Sequence, residues 1–152
     1  MIKIALDDLS GIEIANFLQQ HIDDMRATSP PESKHALDLD GLRQSDIRFW
    51  TATIENRIVG CMALKVHSPT MSEIKSMRTA NHVRGQGVGS ALMTFLVSTA
   101  QQEGIKSLYL ETGSMAFFEP ARRLYLKFGF KPCGPFANYK LDPNSVFMTK
   151  SL

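Results

Sequence analysis

Apolar residues recur along this chain in two rhythms, and the switches between them predict its elements. Ile2, Ile4 and Leu6 alternate with Lys3 and Ala5, a short strand. Ser10 followed by Glu13 has the capping-box spacing that opens a helix. Ile14, Phe17, Leu18, Ile22 and Met25 then recur at helical spacing. Regularity breaks from Ala27 to Gly41, the longest irregular stretch, where Ser29-Pro30-Pro31 stops a helix and Asp38-Leu39-Asp40-Gly41 reads as a turn. Phe49 to Ile54 and Ile58 to Val66 are strand-like runs around Glu55-Asn56-Arg57, which predicts a hairpin. Ser68-Pro69-Thr70 ends the second run, and Glu73 to Thr79 supplies a further strand.

A glycine-rich turn, Arg84-Gly85-Gln86-Gly87-Val88-Gly89, leads into a helix from about Val88 to Gln102. Its apolar face is Val88, Ala91, Leu92, Phe95, Leu96 and Ala100, and Gly104 is its C-terminal stop. Ser107 to Thr112 is a strand. Pro120 sits at the start of the last helix, where a missing N–H costs little. Ala121, Leu124, Tyr125 and Phe128 form that helix's stripe, and Gly129 ends it. Phe130 to Cys133 and Val146 to Lys150 close the chain as strands. The order predicts one mixed α/β domain over residues 1–152, with a single helix-crossed parallel portion.

Composition narrows the class. The 152 residues suffice to bury one core, and 43% apolar with 21% charged residues is ordinary for a globular domain. A net charge of +2 with scattered basic residues argues against a nucleic-acid partner. No apolar run reaches membrane-spanning length and the N-terminus lacks the order of a signal peptide, so a cytoplasmic location is expected, without a membrane partner. Cys61 and Cys133 fit neither a metal spacing nor a disulfide framework, and both read as small core residues. No metal site is expected.

The chemistry concentrates in the glycine turn. Glycines allow positive φ and close approach of the main chain, and the following helix aims its positive end at an anion. The turn therefore reads as a phosphate cradle. A triphosphate loop needs Gly-Lys-Ser/Thr, whereas Gly89 is followed by Ser90 and Ala91. A dinucleotide fingerprint needs a third glycine where Ser90 stands, although Glu111 nearly supplies its acid. The mid-chain position, after an antiparallel-looking hairpin, further disfavours a nucleotide-binding oxidoreductase.

Arg84-x-x-Gly87-x-Gly89 resembles the Arg/Gln-x-x-Gly-x-Gly/Ala signature of the GNAT superfamily of acyl-CoA-dependent N-acyltransferases. Glu73 to Thr79 resembles that family's preceding strand, and Ala121-Arg122-Arg123-Leu124-Tyr125-Leu126-Lys127-Phe128-Gly129-Phe130 is similar to its later A-x-x-L-Y-x-x-x-G-F segment. The likeness covers about Phe49 to Lys150 and is looser before it. Pro30 to Leu37, together with Asp142 to Met148, resembles a bacterial subgroup of small members. The resemblance implies an α/β (α+β) fold with a mixed, mostly antiparallel sheet, a central splayed parallel strand pair and flanking helices. It also implies direct acetyl transfer from acetyl-CoA to a primary amine, with the acceptor unspecified. A homodimer stays open, dimers being common among similar proteins.

Such transfer needs a thioester held close to the amine, a hydrogen-bond donor for the oxygen that gains charge, and a route for protons. By resemblance, acetyl-CoA is held by Met77, Arg78 and Thr79 along the strand, by Arg84, Gly85, Gln86, Gly87, Val88, Gly89 and Ser90 at the turn, and by Ala121 and Tyr125 on the last helix. A main-chain N–H at Met77 or Arg78 is the expected oxyanion donor. Tyr125 is the expected general acid toward the departing thiolate, although it also lies on an apolar stripe. Glu73 is the candidate general base, acting through water, and Glu111 the second candidate. His35 and His67 are weaker candidates, and His82 belongs to the turn. The Ala27–Gly41 stretch, with Arg26, Glu32, Lys34 and His35, is expected to wall the acceptor pocket, with Tyr139 opposite. An acyl-CoA-binding sensor without catalysis is the remaining alternative.

Overall fold

The computed structural model describes residues 1–28 and 39–152. β1 (Lys3–Leu6) leads to α1 (Ile12–Thr28), and α2 (Leu39–Leu42) is a single helical turn. Three strands follow, β2 (Ile47–Ile54), β3 (Arg57–Ser68) and β4 (Met71–Thr79). Then come α3 (Val88–Gln102), β5 (Ser107–Gly113), α4 (Glu119–Lys127), β6 (Lys131–Cys133) and β7 (Ser145–Ser151). The strands form one sheet in the order β1-β2-β3-β4-β5-β7-β6. Every neighbouring pair is antiparallel except the central β4–β5 pair. This is the mixed α/β arrangement that the periodicity and the resemblance led us to expect.

Turn chemistry sets the register as the sequence predicts. Glu55 and Asn56 both take positive φ, 50° and 63°, so the β2–β3 connection is a two-residue turn whose twist suits its strands. Gly104 and Gly129 adopt φ of 80° and 89° just past α3 and α4. Behind them Ile105 N–H donates to the Ala100 carbonyl and Phe130 N–H to the Tyr125 carbonyl, each at 3.0 Å. Both helices thus end in a six-to-one closure that satisfies their last carbonyls.

The entry to α1 differs from the expected capping box. Asp8 accepts both the Ser10 N–H (3.0 Å) and the Ser10 hydroxyl (2.6 Å), so Ser10 is occupied before the helix begins. Glu13 instead reaches across to accept the Ile58 N–H at 3.0 Å and pins the helix to β3. The helix also runs on through Thr28, past the break expected at Ala27. Of the expected turn from Asp38 to Gly41, residues 39–41 belong to α2, and Asp38 lies outside the described residues.

The sheet is covered on both faces. On one, Leu92, Met93, Leu96 and Ala100 of α3 pack with Tyr125 and Phe130 on Met62, Leu64, Ile74, Leu108 and Leu110. Leu92 and Leu96 are fully buried, and each contributes about 1.5–3 kcal/mol through burial. On the other, Ile14 and Leu18 of α1 pack with Leu9, Leu42 and Phe49 on Cys61 and Ala63. Gly60 brings α3 close to β3, since a Cβ there would lie 2.9 Å from the Val88 side chain. The N-terminus of α3 is thereby seated against the centre of the sheet. Among the described residues no helix is long and apolar enough to cross a membrane.

Candidate active site

The central strands part company halfway along. β4 and β5 pair only from Met71/Ser107 to Ile74/Leu110. Beyond that point β4 stays with β3 and β5 stays with β7. The divergence opens a cleft of about 550 Å³ through the middle of the sheet. Ala80 N–H donates to Val59 at 2.8 Å, and Arg78 pairs with Cys61. Alternation then turns the Met77 and Thr79 N–H groups away from β3, to the open side. Of the two expected oxyanion donors, alternation turns the Met77 N–H toward the cleft and that of Arg78 toward β3.

A bulge controls which side chains face which way. Cys61 pairs with Arg78 and Ala63 with Lys75, so Ser76 and Met77 share the place opposite Met62. Ser76 carries the strain, at φ 52°, and its carbonyl accepts the Cys61 thiol at 3.1 Å. The extra residue flips the alternation. Ile74 and Met77 pack on the α3 face. Glu73, Lys75 and Arg78 share the α1 face with their partners Lys65, Ala63 and Cys61. Without the bulge Arg78 would side with Ile74. Burial holds the Cys61 thiol at about 12, which makes it inert, in keeping with its reading as a core residue.

On the α3 face, the glycine turn has the features of an anion cradle. Gly87 is the N-cap of α3 at φ 84°, and no side chain caps the helix. Its first-turn N–H groups therefore remain available. A Cβ at Gly85 or Gly87 would meet nothing within 4 Å, so their left-handed backbone, rather than crowding, favours glycine. Gly89 is different: a Cβ there would lie 3.0 Å from the Leu124 side chain, so α3 and α4 meet at this point. Arg122 ties the start of α4 to the end of β5, donating to the carbonyls of Gly113 (2.5 Å) and Met115 (3.0 Å). α4 in turn presents Ala121, Leu124 and Tyr125 to the cleft. Tyr125 is buried, and burial, with the nearby Glu111 charge second, raises its phenol well above the ordinary tyrosine range.

The α1 face carries the charged groups. Glu73 is only 2% exposed. Its Oε1 lies 2.8 Å from His67 Nε2, and its Oε2 accepts the Tyr139 hydroxyl at 2.6 Å and Lys75 Nζ at 3.3 Å. Lys75 Nζ also donates to the Tyr139 oxygen at 2.9 Å. Across the divergence, burial pushes Glu111 up to about 7. Further along β4, Arg78 Nη1 donates to Asp24 Oδ2 at 2.8 Å and approaches His21 Nδ1 at 3.4 Å. Its guanidinium lies 5.4 Å from the centre of the Phe17 ring. Burial, and then the Arg78 charge, lowers His21 to about 4, so this imidazole is neutral at pH 7.

The cleft lining includes Glu73, Met77, Arg78, Thr79, Arg84, Gly85, Gly87, Val88, Gly89, Ser90, Ala121 and Tyr125 from the expected set, with Glu111 and Tyr139. Gln86 is outside the lining, and its N–H is committed to the Val83 carbonyl at 3.2 Å. His67 reaches the site through Glu73 and does not line it. His82 belongs to the short 3-10 turn before the glycines. Glu32, Lys34 and His35 lie outside the described residues. Sequence reasoning missed Lys75 and His21. Strand parity with Glu73 points to the first, and the helical spacing Phe17–His21–Asp24 to the second. Among the described residues no cluster of three or more His, Cys, Asp or Glu is placed to hold a metal ion.

Comparison with known proteins agrees with this arrangement. The model of the Acetyltransferase (GNAT) family matches residues 14–130. The chain is 49% identical to the N-acetyltransferase YsnE of Bacillus subtilis, over 98% of this chain and 99% of that one. It is 40% identical to the N-acetyltransferase YedL of Escherichia coli, over 100% and 96%. A GNAT family acetyltransferase from Elizabethkingia anophelis, solved with acetyl-CoA bound, shares the fold at a TM-score of 0.66 and 19% identity, over 99% of this chain and 98% of that one. The chain belongs to the GNAT family of acetyltransferases, and it is an N-acetyltransferase.

Proposed function

We infer that the two faces of the cleft divide the work: the α3 face holds the donor and the α1 face receives the amine. One observation carries this reading. The bulge at Ser76 sorts β4 so that its charged side chains look one way, while the N–H groups it turns away from β3 border the same opening as the uncapped α3 N-terminus. The N–H groups of Gly87, Val88, Gly89 and Ser90, with the Arg84 side chain beside them, suit a pyrophosphate. Met77 and Thr79 offer main-chain N–H groups to an extended arm, as a neighbouring strand would. Acetyl-CoA supplies the thioester whose acetyl group is transferred.

The chain's own residues account for the remaining needs. Met77 N–H stabilises negative charge on the thioester oxygen. Glu111, at about 7, has the affinity to take a proton from the incoming ammonium at neutral pH. Glu73, already engaged by three donors, holds Lys75 and Tyr139 in place beside it and gives a through-water path for that proton. Tyr125 donates its hydroxyl proton toward the departing sulfur. Both cysteines are free thiols, in keeping with a cytoplasmic site of action.

The test is release of free thiol from acetyl-CoA by purified protein across a panel of primary amines. Turnover with at least one amine is expected. Tight acetyl-CoA binding without turnover of any amine would favour the sensor reading instead.

A further inference from the structure

Arg78 is built for a partner that the protein does not supply. Its side chain is only 9% exposed, yet it lines the cleft. Both of its protein hydrogen bonds leave from Nη1, toward Asp24 and His21. Nε is buried and makes no hydrogen bond. A guanidinium has five donors in a fixed fork, and a buried one that goes unused is costly. The residue is also held still. Asp24 anchors one end and the Phe17 ring lies against it. His21 adds no competing charge because it is neutral. The strained Ser76, at the bulge, is what puts this arginine on the α1 face.

We propose that the acceptor amine carries a carboxylate, which Arg78 reads through the part of its guanidinium that lines the cleft. The proposal rests on the α1 face being the acceptor side. Arg78 lies at one end of this face; at the other are Glu73 of β4, already ion-paired with Lys75 at 3.3 Å, and Glu111 of β5, the carboxylate that burial leaves with the higher proton affinity. An amino acid matches that polarity, its ammonium toward Glu111 and its carboxylate toward Arg78. A planar carboxylate fits the fork of a guanidinium. Asp24, Glu73 and Glu111 together disfavour a doubly charged phosphate in the same place.

The experiment compares wild-type kcat/KM for a panel of α-amino acids, each against the amine lacking the carboxylate and against the aminophosphonate. At least one amino acid should exceed both analogues by on the order of tenfold or more. R78Q should bring that ratio close to one through a raised KM, and R78K should restore part of it. Acetyl-CoA binding and thermal melting of each variant report whether the fold and the donor site survive. Equal or faster turnover of the decarboxylated amines or aminophosphonates by wild-type protein overturns the proposal and leaves the transferase reading intact. A ratio that persists in folded R78Q also overturns it. If acetyl-CoA binds and no amine of any kind is turned over, the transferase reading fails and the proposal fails with it.

Discussion

Glu111 of β5 and Tyr125 of α4 face one cleft from opposite sides of the sheet, and the charge of the first adds to the burial that keeps the phenol of the second protonated. The pair therefore divides by proton affinity into one group that accepts near neutrality and one that retains its proton far above it. This separation predicts a pH profile. With a single acceptor, kcat/KM of the wild type should rise through about 7 as Glu111 ionises. Glu111→Gln should lose that limb and about 10²-fold in turnover. Stopped-assay rates from pH 5 to 9 (about that range suffices) check it, and an unchanged limb in the variant removes Glu111 from the proton path.

Tyr125→Phe keeps the ring that packs against Phe130, at 5.9 Å between centroids, and removes only the hydroxyl. Turnover should fall by about 10²-fold while the acetyl-CoA dissociation constant stays within about twofold. Calorimetric titration alongside steady-state rates separates the two quantities. Wild-type turnover in the variant excludes the acid role.

Stability should respond to pH through two opposed groups. Glu111 is raised from 4.5 to about 7 in the fold, so the unfolded chain loses this proton first and stability falls as pH rises across that interval. His21 is lowered from 6.5 to about 4, so the unfolded chain gains this proton first and stability rises with pH across its own interval. Each term amounts to about 3 kcal/mol when fully developed, and between pH about 4.5 and 6.5 they offset one another. The wild type should give a nearly flat melting temperature there. Glu111→Gln should show a rising profile and His21→Asn a falling one. Parallel wild-type and variant profiles would contradict the assignment.

Gly87→Glu places a carboxylate at the N-terminus of α3 on a backbone at φ 84°. Strain and repulsion of a pyrophosphate act together there. Acetyl-CoA binding should weaken by about 10²-fold or more. Gly87→Ala, which meets no atom within 4 Å, isolates the strain and should weaken it far less. Undiminished binding in folded Gly87→Glu rules out the turn as the anion site.

Much of the framework was legible because local rules governed it. The span of α3, its stop at Gly104 and the Glu55-Asn56 hairpin follow from periodicity and turn chemistry. Glu73 in the cleft was legible through the resemblance of its strand to that of the GNAT family, whose strands part there. What stayed hidden depended on the bulge. Nothing in Glu73-Ile74-Lys75-Ser76-Met77-Arg78 announces an extra residue, and strict alternation would have placed Arg78 beside Ile74 among the core residues. The capping box failed for a similar reason. Asp8, close by in the sequence, claimed Ser10, and the distant Ile58 claimed Glu13.

The parting of β4 from β5 leaves two strand edges in the interior of a sheet, where edges are normally closed. Amides such as those of Met77 and Thr79 have no strand neighbour of their own on that side, so exchange with solvent deuterium should be rapid there and slow at Ala80, whose N–H is held by Val59. Any extended molecule that fills the gap completes the sheet and writes its own outline as a line of protected amides. The fold thus carries a built-in record of what occupies it, readable residue by residue without a chemical assay.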